Sequence, residues 1–319
     1  MSDRLLHRAF GRFAERAVRA QKWDVILCWS SVGEEIMRSR RVSGVRVCHR
    51  SSAHIRTQDR LLREEQDRTG LEIERPSGWM IAREEREYAL ADLVLVPSSF
   101  ARSSFLTEGL SPDRILMVPF GVDPAMFRPA RATVEERVRR IEAGEPLRVA
   151  YVGAISLRKG MRDLVEIARS LDRSRFAVSC TGPIAVDCQT VARDLEPWVT
   201  LHGPRPQRDL PATYAAADLF VFPTIEDGHP MVLSQAMESA LPIVCTTNCS
   251  GPDIIADGQT GWVLPPRRPD LFIERLQWCD TNRGALVRMI WDCYERFASR
   301  TWADATRELA AALAPAVGA

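Results

Sequence analysis

Short β-branched apolar runs alternate with helix-periodic segments along nearly the whole chain, and this alternation restricts the fold more than any other feature. Strand candidates fall at 24–29, 45–48, 93–96 and 115–118, then at 147–152, 176–180, 199–201, 219–222, 243–246 and 261–264. Helical spacing fills the intervals at 57–70, 79–90, 160–171, 186–195, 209–216, 232–240 and 269–278. Strands joined through helices pair in parallel, and parallel sheets bury both faces under those helices. The expected class is α/β.

At 319 residues the chain suits two domains of ordinary size. Pro119, Gly121, Pro124, Pro129, Gly144 and Pro146 punctuate the stretch between the fourth and fifth strands. The sequence division is therefore a first domain at 1–120, a linker at 121–146, and a second domain at 147–319 that includes C-terminal helices. Two α/β domains joined in this way place a ligand between them.

Charge and cysteine usage narrow the class further. Residues 1–146 carry 25 basic and 22 acidic side chains and the remainder 18 and 20, a net of +1, which excludes a protein built to coat nucleic acid. No apolar run approaches the ~18 residues of a membrane span, and no secretory leader is visible. The eight cysteines include no C-x-x-C pair, and Cys28, Cys48, Cys180 and Cys245 sit in apolar runs, as in a reducing, cytoplasmic setting.

The first twenty residues read as a basic amphipathic helix. Leu5, Leu6, Ala9, Phe10, Phe13, Ala14, Ala17 and Val18 form one face; Arg4, Arg8, Arg12, Arg16 and Arg19 form the other. Packing on its own domain is the favoured reading. Peripheral contact with the inner face of an anionic membrane is the alternative.

Two segments concentrate chemistry. In Tyr151-Val152-Gly153-Ala154-Ile155-Ser156-Leu157-Arg158-Lys159-Gly160, an apolar strand enters a glycine loop and then a helix. Anions bind where strand carboxyl ends meet helix N-termini. Lys159 would be a point charge on a phosphate, with Arg158 adding a second contact. Of 43 basic residues only Lys22 and Lys159 are lysine, a bias that codon usage largely explains but that marks the two exceptions. In the second segment a buried strand ends at Pro223, Glu226-Asp227-Gly228-His229-Pro230 forms an acidic loop, and a helix starts near Met231. The amides of Met231 and Val232 would point toward a phosphate or sugar hydroxyl, with Asp227 and Gln235 on the same side.

These segments and others resemble glycosyltransferase family 4, retaining enzymes of GT-B fold that use nucleotide-activated sugars. Val118-Pro119-Phe120-Gly121-Val122-Asp123 is similar to the family's interdomain Pro-Asn-Gly-Val-Asp signature. The stretch from Gly153 to Gly160 is similar to its phosphate loop, and Leu201-His202-Gly203 to a base-flanking strand end. Pro223 to Met237 is similar to its E-x7-E region, and Asp257-Gly258-Gln259-Thr260-Gly261 to its D-G-x-T-G stretch. Each motif alone is weak; jointly they are specific over roughly residues 90 to 280.

The resemblance implies a GT-B architecture of two Rossmann-like domains facing a cleft, and transfer of a sugar from a nucleotide-diphosphate donor to an acceptor hydroxyl. That acceptor would be a sugar or lipid-linked species in polysaccharide or glycoconjugate biosynthesis. Donor-binding residues would be Gly153, Arg158, Lys159, His202, Glu226, Gly228, His229, Met231, Val232 and Gln235. Asp227 stands where the first acid of E-x7-E sits, near the donor sugar, and Gln235 where the second holds the ribose. Asp is one methylene shorter than Glu, and Gln lacks its charge. Ala154 stands where many relatives carry an arginine, which Arg158 could replace. No cofactor beyond the donor and no metal is expected, since Asp-x-Asp and His/Cys clusters are absent from the sequence.

The first domain carries fewer signals. Val47-Cys48-His49-Arg50-Ser51-Ser52-Ala53-His54 is similar to an Arg-Gly-Ser-Ser-His loop of some members, so His54 and His49 are candidate catalytic side chains beside Asp227. Glu84, Glu85, Glu87 and Tyr88 read as a solvated helix. Relatives open with a strand and glycine loop, whereas this sequence opens on a helix, so the first domain is expected to lack a βαβ unit of about 30 residues or more. A non-catalytic remnant or subunit that binds nucleotide-sugar or a protein partner is the alternative function. A dinucleotide dehydrogenase is disfavoured because no Gly-x-Gly-x-x-Gly follows a strand.

Overall fold

The computed structural model describes residues 2–318. They fold into two compact units: residues 2–61, 75–119 and 303–318 make the first, and 62–74 with 120–302 the second. Compactness thus cuts the chain elsewhere than the sequence division does, because two segments return to the other half's core.

Unit 1 holds a parallel sheet of β1 (Val25–Trp29), β2 (Val45–His49), β3 (Leu93–Val96) and β4 (Ile115–Met117), in chain order. Successive side chains alternate between its faces. On one face Ile26, Cys28, Cys48, Val94 and Val96 pack with Met37, Tyr88 and Phe105. On the other, Val47, Leu95 and Val118 lie under Ala305 and Leu313 of the C-terminal helix, Trp302–Val317.

The first helix, Ser2–Val18, rests on unit 1 by a narrower face than its periodicity predicts. Gly11 is buried, and a Cβ there would come within 1.9 Å of Glu35 Oε2; Ala14 and Val18 pack beside it. Leu5, Leu6, Phe10 and Phe13 remain 51–70% exposed. Small residues on the 11-14-18 stripe let the backbone approach closely, which turns the larger side chains outward.

Helix Gly78–Leu90 corrects a reading: it is not solvated, since Arg83, Glu84, Glu87 and Tyr88 are all buried. Ion pairing makes this possible. Arg83 lies against Glu34, Glu35 and Glu87, and Arg50 lies 2.9 Å from Glu84. The Glu87 carboxylate also accepts from the backbone amides of Ser31, Gly33 and Glu34. Sequence spacing shows charges but not their partners.

Unit 2 holds six parallel strands: β5 (Leu147–Val152), β6 (Phe176–Thr181), β7 (Val199–Leu201), β8 (Leu219–Phe222), β9 (Ile243–Thr246) and β10 (Gly261–Leu264). Their order is β10-β9-β8-β5-β6-β7, which reads 6-5-4-1-2-3 when β5 is counted first. This is the doubly wound order. β8 and β9 are buried along their whole length, as a strand covered on both faces must be. The stretch 121–146 is packed structure rather than free linker: helices Pro124–Phe127 and Arg131–Glu142 contribute Phe127, Val134 and Ile141 to this core. Leu62 and Ile73 join the same core, and Arg68–Asp163 and Arg267–Glu65 pairs fix their segment.

Candidate functional site

Strand order in unit 2 reverses between β5 and β8. Connections leaving these two strands diverge to opposite faces, which opens a crevice at their carboxyl ends. Both chemistry-bearing segments lie there. Gly153 leaves β5 at φ +147°, and Tyr151 OH donates 2.7 Å to Ala154 O. A 3-10 turn, Leu157–Lys159, then ends on Gly160 at φ +75° before helix Met161–Ser170. Any Cβ on Gly160 would lie 1.8 Å from Pro223 O, so glycine lets the two loops touch.

The loop after β8 is fixed from both sides. Ile225 N donates to Arg158 O at 3.0 Å, and Thr246 Oγ1 to Thr224 O at 2.7 Å. Asn248, just beyond β9, donates its Nδ2 to Ile225 O (2.9 Å) and accepts Asp227 N on its carbonyl (3.0 Å). Asn248 and Tyr151 escape sequence reasoning because their roles depend on which strands are neighbours.

Two cations and two acids meet across these loops. Arg158 Nε donates to Glu226 O (3.1 Å) and Oε2 (3.0 Å), and its Nη2 lies 2.9 Å from the same Oε2. Lys159 Nζ lies 2.5 Å from Asp227 Oδ2 and 5.9 Å from the Phe222 ring centroid. The Glu226 side chain has 0% exposure, whereas Lys159 and Asp227 keep 16% and 17%. Beyond them helix Met231–Glu238 begins on Pro230 with no side-chain cap, leaving the first-turn amides of Met231 and Val232 without intrahelical acceptors.

The other donor candidates are dispersed around this centre. Gly228 and His229 are buried, the His229 ring edge-on to Phe120 at 5.2 Å. Gln235 is buried as well, with Oε1 accepting 2.9 Å from Tyr214 OH, so its acceptor atom is already engaged. His202 is exposed past the end of β7, two strands from β5.

His49 and His54 lie in unit 1, at and just after the carboxyl end of β2. His49 stacks on Trp29 with centroids 4.2 Å apart. His54 is buried against Tyr88 and Phe105, and its Nδ1 accepts 3.2 Å from Arg56 N. Burial pushes both imidazoles down to about 4, so each is neutral near pH 7. With Nδ1 accepting, His54 carries its proton on Nε2 and offers a donor rather than a base there. Between these residues Arg50 is spread over Ala53 O, Glu84 and Gln58, which fixes the loop.

Fold and arrangement together define a class: a pair of parallel α/β units, the second doubly wound with cations and uncapped helix amides at its switch point. Residues 146–282 match the family described as glycosyl transferases group 1. D-inositol 3-phosphate glycosyltransferase of Corynebacterium glutamicum is 28% identical, over 62% of this chain and 51% of its own. The chain spans about half the length of the curated relatives it matches. Among solved structures, sucrose-phosphate synthase of Thermosynechococcus elongatus aligns at TM-score 0.76 and 19% identity, covering 98% of this chain and 79% of that one. Anabaena HepE in complex with UDP-glucose aligns at 0.71 and 15%, covering 96% and 82%. Residues 146–282 are thus similar to the glycosyl transferases group 1 family, and the fold is the GT-B fold.

Proposed function

We propose that this chain transfers a sugar from a nucleotide-diphosphate donor to an acceptor hydroxyl, with retention at the anomeric carbon, in polysaccharide or glycoconjugate assembly. One observation carries the reading: Arg158, Lys159, Asp227 and the start of helix Met231–Glu238 converge at the β5/β8 switch point of a segment that matches the family. HepE, a structural neighbour, was solved with UDP-glucose, which supports a sugar nucleotide as donor.

In this reading Lys159 and Arg158 meet the diphosphate, and the amides of Met231 and Val232 add donors as negative charge grows on the leaving oxygen. Asp227 stands beside them for the donor sugar. The reading routes no step through a metal, because the side chains named supply the countercharge. His54, with its Nε2 proton, is assigned to hold an acceptor or donor hydroxyl. Among the described residues no helix is long and apolar enough to cross a membrane. Helix Ser2–Val18, with Phe10 and Phe13 exposed beside Arg8, Arg12 and Arg16, supports peripheral contact with an anionic membrane.

The test is a thermal shift against UDP, GDP, ADP, dTDP and CMP, with Lys159→Ala in parallel. A ligand at a hundred times its dissociation constant adds about 2.7 kcal/mol. A shift with one diphosphate, lost in the variant, is the expected result. Folded protein indifferent to all five would sink the donor-site assignment.

A further inference from the structure

The neighbouring acids Glu226 and Asp227 each pair with one of the neighbouring cations, yet the two pairs differ in build. Glu226 is enclosed, and it holds Arg158 through both a side-chain and a main-chain oxygen. Two guanidinium nitrogens on one carboxylate oxygen fix the plane of the fork. Asp227 meets Lys159 through one oxygen at a partly exposed position. A lysine ammonium is a point charge that can swap acceptors without reorienting, and one oxygen on one ammonium sets no orientation, unlike the two-nitrogen hold on Arg158.

We infer that the acids have opposite jobs: Glu226 is a permanent positioning residue for Arg158, while Asp227 is an exchangeable partner that occupies Lys159 until a diphosphate takes its place. The inference rests on the donor-site reading above and assigns an order of events to it. Each cation is neutralised by its own acid. An arriving diphosphate takes Lys159 from Asp227, and the released carboxylate becomes available to the sugar. Arg158 stays on Glu226 throughout. A nucleoside monophosphate, lacking the second phosphate, competes poorly with Asp227 for the ammonium.

Charge alone and this division of labour predict different signs. Removing either carboxylate lowers the negative charge beside an anion site, so a purely electrostatic role makes both variants bind tighter. The division makes them diverge. Inorganic pyrophosphate is the probe, since it needs no base identity. Asp227→Asn should bind it ~5-fold tighter, the equivalent of one partly exposed ion pair. Glu226→Gln should bind it ~10-fold more weakly, and that loss should vanish in an Arg158→Ala background, as expected of a residue that acts through another. Should Glu226→Gln fail to fold, Glu226→Asp keeps the charge but draws the carboxylate back by one methylene; charge alone then predicts unchanged binding, and the positioning role predicts weaker binding that Arg158→Ala abolishes.

Lysine scarcity provides an independent readout. With only Lys22 and Lys159 present, ¹⁵N-lysine labelling gives two side-chain signals, and Lys22→Arg assigns them. Asp227→Asn should displace the Lys159 signal in the free protein and leave it unmoved once pyrophosphate is bound. Pyrophosphate binding that is weaker or unchanged in Asp227→Asn, or a bound-state Lys159 signal that still depends on Asp227, overturns the exchange. Tighter binding in Glu226→Gln overturns the positioning role. Wild-type protein that binds neither pyrophosphate nor any of the five nucleotides overturns the donor-site reading and the exchange with it, whatever the free-state signal shows.

Discussion

At the scale of single residues, the site depends on positions that tolerate no substitute. Gly160 is one: it needs φ +75°, and its Cα faces the Pro223 carbonyl. Gly160→Ala should cost at least ~2 kcal/mol in urea unfolding and remove the nucleotide response, because strain and overlap push the two loops apart. His49 and His54 make a second residue-scale prediction. Their folded values near 4 lie below the unfolded ~6.5, so the stability they contribute is full above pH 6.5 and is lost as pH falls toward 4. Melting temperature followed from pH 7 to 4.5 should drop less steeply in a His49→Gln/His54→Asn variant than in wild type. Taking the difference separates this from Glu87, whose carboxyl burial pushes up to about 7 and which acts in the opposite sense. The Lys159 and Asp227 positions were legible as motif members. That Gln235 is engaged by Tyr214, and Glu226 by Arg158, was not, since side-chain pairing depends on distances that a linear pattern does not encode.

Elements were the most legible level. All ten strands fall on the apolar runs that the sequence marks, most of them ending at or just before a glycine, proline or charged residue, and the helices bordering the switch point start where the loops predict. Short helices such as Glu34–Arg38 and Ser99–Thr107 did not stand out, because one or two turns hold too few apolar positions to show a period. Loop 223–230 depends on its neighbour strand. Asn248→Ala removes the Nδ2 bond to Ile225 O and should cost ~1 kcal/mol while weakening nucleotide binding, read by calorimetry. Helix Ser2–Val18 gives a further test. Co-sedimentation with phosphatidylglycerol vesicles should fall sharply in an Arg8→Glu/Arg12→Glu/Arg16→Glu variant and on raising salt. Binding that is unchanged by either would rule out the membrane contact.

At the scale of the whole molecule, each unit is completed by a segment from the other half of the sequence. Leu313 and Ala305 of the last helix cover Val47, Leu95 and Val118, so Leu313→Ala should cost ~2 kcal/mol. Hydrogen exchange should quicken in β1–β4 and leave β5–β10 unchanged. The sequence by itself determined the α/β class, the ten strands, the phosphate-type loop and the acidic loop, because periodicity and turn chemistry are local properties of the chain. Tertiary structure alone decided the strand order that sets β5 beside β8, the return of 62–74 and 303–319 to the opposite units, and the partners of the buried charges on helix Gly78–Leu90. Those outcomes depend on contacts between residues far apart in the chain, where many pairings satisfy the same hydrophobic pattern and only simultaneous packing of all the elements selects one.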